Sequence, residues 1–252
     1  MKIQPLIIAY ILFSFFPVAK KSCLSILEIA EQYLNTPYVE KTLEQPGEER
    51  LIINKKAVDC TTFVEYVLAE YLTTDTISFE ERLQVIRYRE GKIDGYASRL
   101  HYFSEWVQQA INNGFLIDIT EKHSSYKKLL TIYFMSSHAD LYPSLSKEKK
   151  EFDKILQIEG DLSGREFHYL PKENIPVKGL EWIEEGDIIA LVTSIDGLDV
   201  SHLGFAVYVN NELRLLHASS KQKKVVVDHQ SLKDYLMEKK SILGIRVFRV
   251  PL

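Results

Sequence analysis

The chain has 252 residues, enough for one large domain or a core with a sizeable insertion. Hydrophobic residues make up 46% and charged residues 26%, the balance of a globular protein with a substantial core. A formal charge of -4 removes any electrostatic case for nucleic acid or an anionic membrane as partner.

Residues 1–22 differ from the rest. Met1-Lys2 carries positive charge and Leu6 to Ala19 is nearly all apolar, the pattern of a secretory signal rather than a full membrane span. Pro17-Val18-Ala19 is a poor cleavage site, so an uncleaved membrane anchor or a buried N-terminal helix is the alternative. No lipobox precedes Cys23. Residues 23–252 are expected to form a single catalytic domain.

Ser25 to Leu34 has helical spacing, with Ile26, Ile29, Ala30 and Tyr33 on one side. Thr36-Pro37 ends it. Asp59 then opens a second helix, with Phe63, Val64, Val67, Leu68 and Tyr71 at three- and four-residue steps. A mainly helical insertion is expected at about 75–176, with Phe79 to Arg89, Leu100 to Asn112 and Ser146 to Ile158 as helices and Phe115 to Ile119 as a short strand. The basic run Lys147 to Lys150 reads as a solvated helix face. After Gly186 the pattern changes to strands over 187–193, 202–209, 213–218, 224–227 and 245–250. Asn210-Asn211 suits a two-residue hairpin turn. Helices first and an antiparallel sheet last predict an α+β fold.

Two cysteines and seven histidines bound the chemistry. Cys23 and Cys60 could form a disulfide in an exported protein. Cys60, however, follows Asp59, a favoured N-cap, and so stands at a helix N-terminus. Free N–H groups and the helix dipole there favour the thiolate, which is the nucleophile. The alternative is a small buried hydrophobe starting a core helix. No Cys/His cluster has zinc-ligand spacing, and neither metal nor cofactor is expected.

Position separates the histidines. With the hairpin turn at Asn210-Asn211, His202 lies opposite Ser219, and His217 shares the face of His202 at a diagonal of roughly 7–8 Å. On that face Gly204 and Ala206 are small, which would let a helix end approach closely. Leu203, Phe205, Val207 and Val209 form the opposite, core face. A thiol on a helix end, an imidazole on a strand and an orienting polar group on the next strand follow the logic of papain-like peptidases. The alternative is a pair of structural histidines.

Five ordered fragments carry a resemblance: Tyr33-Leu34-Asn35-Thr36-Pro37-Tyr38, Asp59-Cys60-Thr61-Thr62-Phe63, Glu185-Gly186-Asp187-Ile188, Ser201-His202-Leu203-Gly204-Phe205 and Leu216-His217-Ala218-Ser219. Together they resemble the NlpC-like, papain-fold cell-wall cysteine peptidases. The resemblance implies Cys60 as nucleophile, His202 as base, His217 as third polar member and Tyr38 beside the active site. Ser201 and Ser219, within the same fragments, are expected substrate contacts. The chain departs in having Val39-Glu40-Lys41 where the family often has paired glycines, and in its long interval between Cys60 and Gly186.

The stretch from Tyr88 to Trp106 and the segment Gly197-Leu198-Asp199-Val200-Ser201-His202 resemble a narrower branch, the N-acetylmuramoyl-L-alanine amidases that recycle muropeptides. That branch implies cleavage between the muramic acid lactyl group and L-alanine, in a released GlcNAc-1,6-anhydro-MurNAc peptide, in the periplasm of a Gram-negative bacterium. Arg99, His101 and Tyr102 supply donors and rings that suit a sugar. They equally suit a helix start packed on a core, and Trp106 reads as structural. Two rival functions remain: a γ-D-glutamyl-diaminopimelate endopeptidase with the same core, and a catalytically silent muropeptide-binding module.

Overall fold

The computed structural model describes residues 24–45 and 47–251, so the expected signal segment and Cys23 lie outside the described residues. Four helices come first: α1 (Ile26–Glu31), α2 (Cys60–Leu72), α3 (Phe79–Arg87) and α4 (Phe103–Asn112). Short pieces follow: β1 (Ile117–Asp118), α5 (Thr120–His123), β2 (Lys127–Leu129), α6 (Phe134–Ser137) and α7 (Pro143–Lys147). The longer α8 (Lys149–Leu162) precedes β3 (Glu166–His168) and β4 (Leu170–Pro171). The main strands are β5 (Ile188–Thr193), β6 (Val200–Val209), β7 (Glu212–Ser219), β8 (Lys224–Val227) and β9 (Ile242–Arg249), with α9 (Leu232–Met237) before the last.

The main sheet runs β1-β9-β5-β6-β7-β8, with β4 also on β9, and every pairing is antiparallel. The expected α+β character is present. Asn210 and Asn211, at φ 53° and 62°, make the β6–β7 turn, and their left-handed backbone matches the twist of a tight hairpin. The resulting register pairs Val209 with Glu212 and Phe205 with Leu216. Residues 75–176 are less separate than a helical insertion. β1 and β4 pair with β9, which weaves that stretch into the sheet edge.

Two apolar layers sandwich the sheet. On one side Leu203, Phe205 and Val207 meet Phe63, Val64 and Val67 of α2, and the Phe63 and Phe205 rings cross edge-to-face at 5.4 Å. On the other side Ala206, Leu213 and Leu215 meet Leu232 and Leu236 of α9. The expectation that a helix end approaches through the Gly204 and Ala206 face is therefore corrected. Helix α2 instead lies on the Leu203, Phe205 and Val207 face, where its own apolar side chains are buried. A third cluster joins Tyr96, Tyr102, Ile132, Met135, Ile155 and Phe167 beneath the inserted helices.

Candidate active site

α2 begins with a reciprocal cap. The Thr62 N–H donates to Asp59 Oδ1 at 2.8 Å, and the Asp59 N–H donates to Thr62 Oγ1 at 2.9 Å. Cys60 is thus held at the first helical position, half-buried and free. The Leu203 N–H and the Thr61 side chain lie close enough to its sulfur to favour the thiolate. The β6–β7 ladder ends at the Phe205–Leu216 pair, and Leu203 and His202 lie beyond that end. The sulfur therefore meets β6 where the two strands stop pairing.

His202 Nε2 and His217 Nδ1 are 2.7 Å apart, with the rings perpendicular. His217 is buried, and its Nε2 lies 3.3 Å from Asp228 Oδ2, at the end of β8. Burial favours the protonated Asp228 carboxyl. Hydrogen bonds from His217 and the Gln230 N–H outweigh it and hold Asp228 below the usual carboxylate range. A carboxylate can only accept, so His217 donates from Nε2 and accepts at Nδ1. His202 must then donate from Nε2, which leaves His202 Nδ1 as the basic lone pair. One buried acid thereby fixes two tautomers in series. Gly204 makes room for this contact: a Cβ there would stand 2.9 Å from His217 Cβ and 2.8 Å from the Leu216 carbonyl oxygen.

Cys60 and His202 line one small pocket of about 100 Å³, with Thr61, His101, Phe103 and Trp106 among its walls. The protonation state runs against the expected thiolate. Although Cys60 keeps some surface toward the pocket, its sulfur is desolvated. Burial, reinforced by the Asp59 charge, pushes the thiol up to about 12. Burial, followed by His217 and Lys239, pushes His202 down to about 3. Both groups rest neutral, a thiol and an imidazole lining one pocket.

The structure divides the other expected residues. His101 lines the pocket and its Nε2 contacts the Tyr96 carbonyl at 2.9 Å. Burial, then Arg99, pushes it down to about 3, so the neutral ring donates from Nε2 and offers Nδ1 as an acceptor. Ser201 lines the pocket and is exposed. Tyr38 lies outside those walls, yet its hydroxyl is within electrostatic reach of Cys60.

Arg99, Tyr102 and Ser219 are not brought to the pocket, because each is buried on internal partners. Arg99 pairs with Glu44 at 2.8 Å and Glu49 at 3.3 Å. The Tyr102 hydroxyl donates to Glu159 at 2.6 Å and accepts from the Met135 N–H. Ser219 Oγ accepts from the Gln222 N–H. Trp106, read from sequence as structural, stacks on Phe103 at 5.5 Å and also lines the pocket.

Sequence reasoning missed two acids. Asp228 carried no signal beyond closing a Val-rich strand. Asp199 stood inside a quoted motif without a role. Buried, it accepts the Ser104 N–H at 2.6 Å across 95 positions and the Val200 N–H at 2.8 Å. It so caps the start of α4 and ties that helix to the strand that carries His202.

Known proteins share this fold. Residues 28–245 match the family model described as AmiA-like, N-acetylmuramoyl-L-alanine amidase-like. A solved N-acetylmuramoyl-L-alanine amidase from Bacteroides uniformis is 48% identical, with a TM-score of 0.88 over 90% of this chain and 99% of that one. A Bacteroides fragilis structure carrying a provisional xylanase name is also 48% identical, at TM-score 0.87 over 89% of this chain and 100% of that one. A Legionella pneumophila protein is 28% identical, at TM-score 0.68 over 90% and 88%. No curated protein matches the chain. With the family model covering most of its length and half-identical relatives matching 90% of it, the chain belongs to the AmiA-like, N-acetylmuramoyl-L-alanine amidase-like family.

Proposed function

We propose that this chain is a cysteine-dependent amidase that hydrolyses the bond between the lactyl group of N-acetylmuramic acid and L-alanine in released muropeptides. One observation carries the reading: a capped helix-terminal thiol and an imidazole with a fixed tautomer line the same pocket. His202 Nδ1 takes the Cys60 proton as sulfur attacks the amide carbonyl carbon. The Cys60 N–H, at the open end of α2, holds the developing oxyanion, with the Tyr38 hydroxyl beside it. The resulting imidazolium protonates the leaving L-alanine amine, and the C–N bond breaks. Water, deprotonated by His202, then cleaves the thioester and regenerates the thiol.

Glycosidase chemistry fits poorly. Most such enzymes need two carboxylates flanking the bond. Among the described residues lining this pocket only Asp199 is acidic, and it is buried on backbone N–H groups. The aromatic wall of Phe103 and Trp106 suits the sugar of a GlcNAc-1,6-anhydro-MurNAc peptide. Together with the signal-like sequence of residues 1–22, it supports a reading as an enzyme of periplasmic wall recycling.

Mass spectrometry of a defined anhydro-muropeptide digest tests the reading. Free disaccharide and intact stem peptide are expected from the native protein, with turnover lost in Cys60→Ala. A disaccharide that keeps L-Ala-D-Glu would assign γ-D-glutamyl endopeptidase activity instead. Substrate binding without any product would leave only a muropeptide-binding module.

A further inference from the structure

Beyond the pocket, a second group of side chains reaches the dyad from the α9 side of the sheet. The Tyr235 ring stands edge-on to His217 at 5.4 Å, and the Lys239 ammonium sits 4.4 Å from the Tyr235 ring centroid. The Tyr235 hydroxyl lies within electrostatic reach of both Asp228 and Cys60. Lys239 pairs with no carboxylate among the described residues, whereas nearby Lys172 and Lys233 are engaged by backbone carbonyls. A cation held on an aromatic face keeps its charge while shedding part of its water, which readies it for an anion.

We propose that Lys239, seated on Tyr235, receives a carboxylate of the departing stem peptide and so marks the leaving-group side of the site. The inference rests on the amidase reading and adds a substrate determinant to it. In a stem peptide that begins L-alanine then γ-linked D-glutamate, the glutamate α-carboxylate stays free one residue beyond the cut. One extended residue spans about 3.4 Å, so this anion travels close to the dyad.

Lys239 is otherwise placed against catalysis. His202 must become a cation to protonate the leaving amine, and a second cation nearby opposes that step. A substrate carboxylate on Lys239 cancels the opposing charge at the moment the proton is needed. Binding the right peptide therefore makes the base more able.

The test is a two-by-two comparison of native protein and Lys239→Gln, each given the anhydro-muropeptide with a free D-glutamate α-carboxylate and the same compound with that group as a carboxamide. With native protein, amidation is expected to lower kcat/KM about fivefold, the upper size of an exposed ion pair. Lys239→Gln is expected to cleave the two forms at equal rates, with KM for the acidic form raised to that of the amide. A discrimination that survives in Lys239→Gln overturns the proposal while leaving the amidase reading intact. So does equal cleavage of both forms by native protein. Absence of cleavage of either form by native protein removes both.

Discussion

Asp228 shows how far from the Cys60 thiol a single residue can act. It never touches the thiol, yet its acceptor-only oxygens decide which nitrogen of His202 carries a proton. Asp228→Asn keeps the shape and loses the compulsion, since an amide can donate as well as accept. His217 can then turn over its tautomer and take His202 with it. We expect kcat to fall by on the order of 10–100-fold, the scale of losing an orienting partner, with KM and the far-UV dichroism unchanged. A kcat within twofold of native would show that His217 alone orients the base. Asp228 was invisible in sequence because its partner is 11 positions away across a strand pair, and Val227-Asp228-His229 reads as a strand running out into a surface turn. His202 and His217 were legible because an Asn-Asn turn sets their register and period two sets their face.

At the scale of elements, the helix that carries the thiol is anchored at both ends of its first half. The cap holds its start. Five residues along, the Glu65 carboxylate is buried against Arg87 of α3 at 2.8 Å, and the guanidinium also donates to the Ile52 carbonyl at 2.6 Å. Arg87 thus joins two helices to the loop that leads into Asp59. Removing one partner strands a charge. Glu65→Ala is expected to cost about 3–5 kcal/mol in urea unfolding, and Glu65→Met with Arg87→Met together much less. Equal losses in the single and double variants would mean that the ion pair itself, not the orphaned guanidinium, sets the cost. The long amphipathic helices and the β-branched strands were legible from period. α9 was not, for six residues after Ser231 hold too little pattern to separate a helix from a turn. The small strands β1 to β4 were mostly unreadable for a different reason. Two or three residues pair only because β9 or a neighbour is already there.

For the molecule as a whole, two neutral imidazoles buried at one site make acid the weak flank. His101 and His202 are both pushed down to about 3 in the folded chain, against about 6.5 when unfolded. Between those values the unfolded chain binds more protons than the native one. Stability therefore rises with pH across that window and is lost as pH falls through it. Thermal melts from pH 7 down to pH 4 are expected to show a steadily falling Tm, with a shallower fall in His101→Gln. A Tm constant over that range would mean that neither ring is kept neutral by the fold.

Gly197 links the sheet to the inserted region at the point where it matters most. Its carbonyl accepts the N–H groups of Tyr133 and Phe134, and a Cβ on it would stand 2.8 Å from the Phe134 nitrogen. Five positions later comes His202. Anyone trimming this chain to a minimal scaffold by excising the middle hundred residues would knock out the brace behind the strand that carries His202. The segment that looks dispensable by length is, mechanically, the backstop against which that imidazole is set.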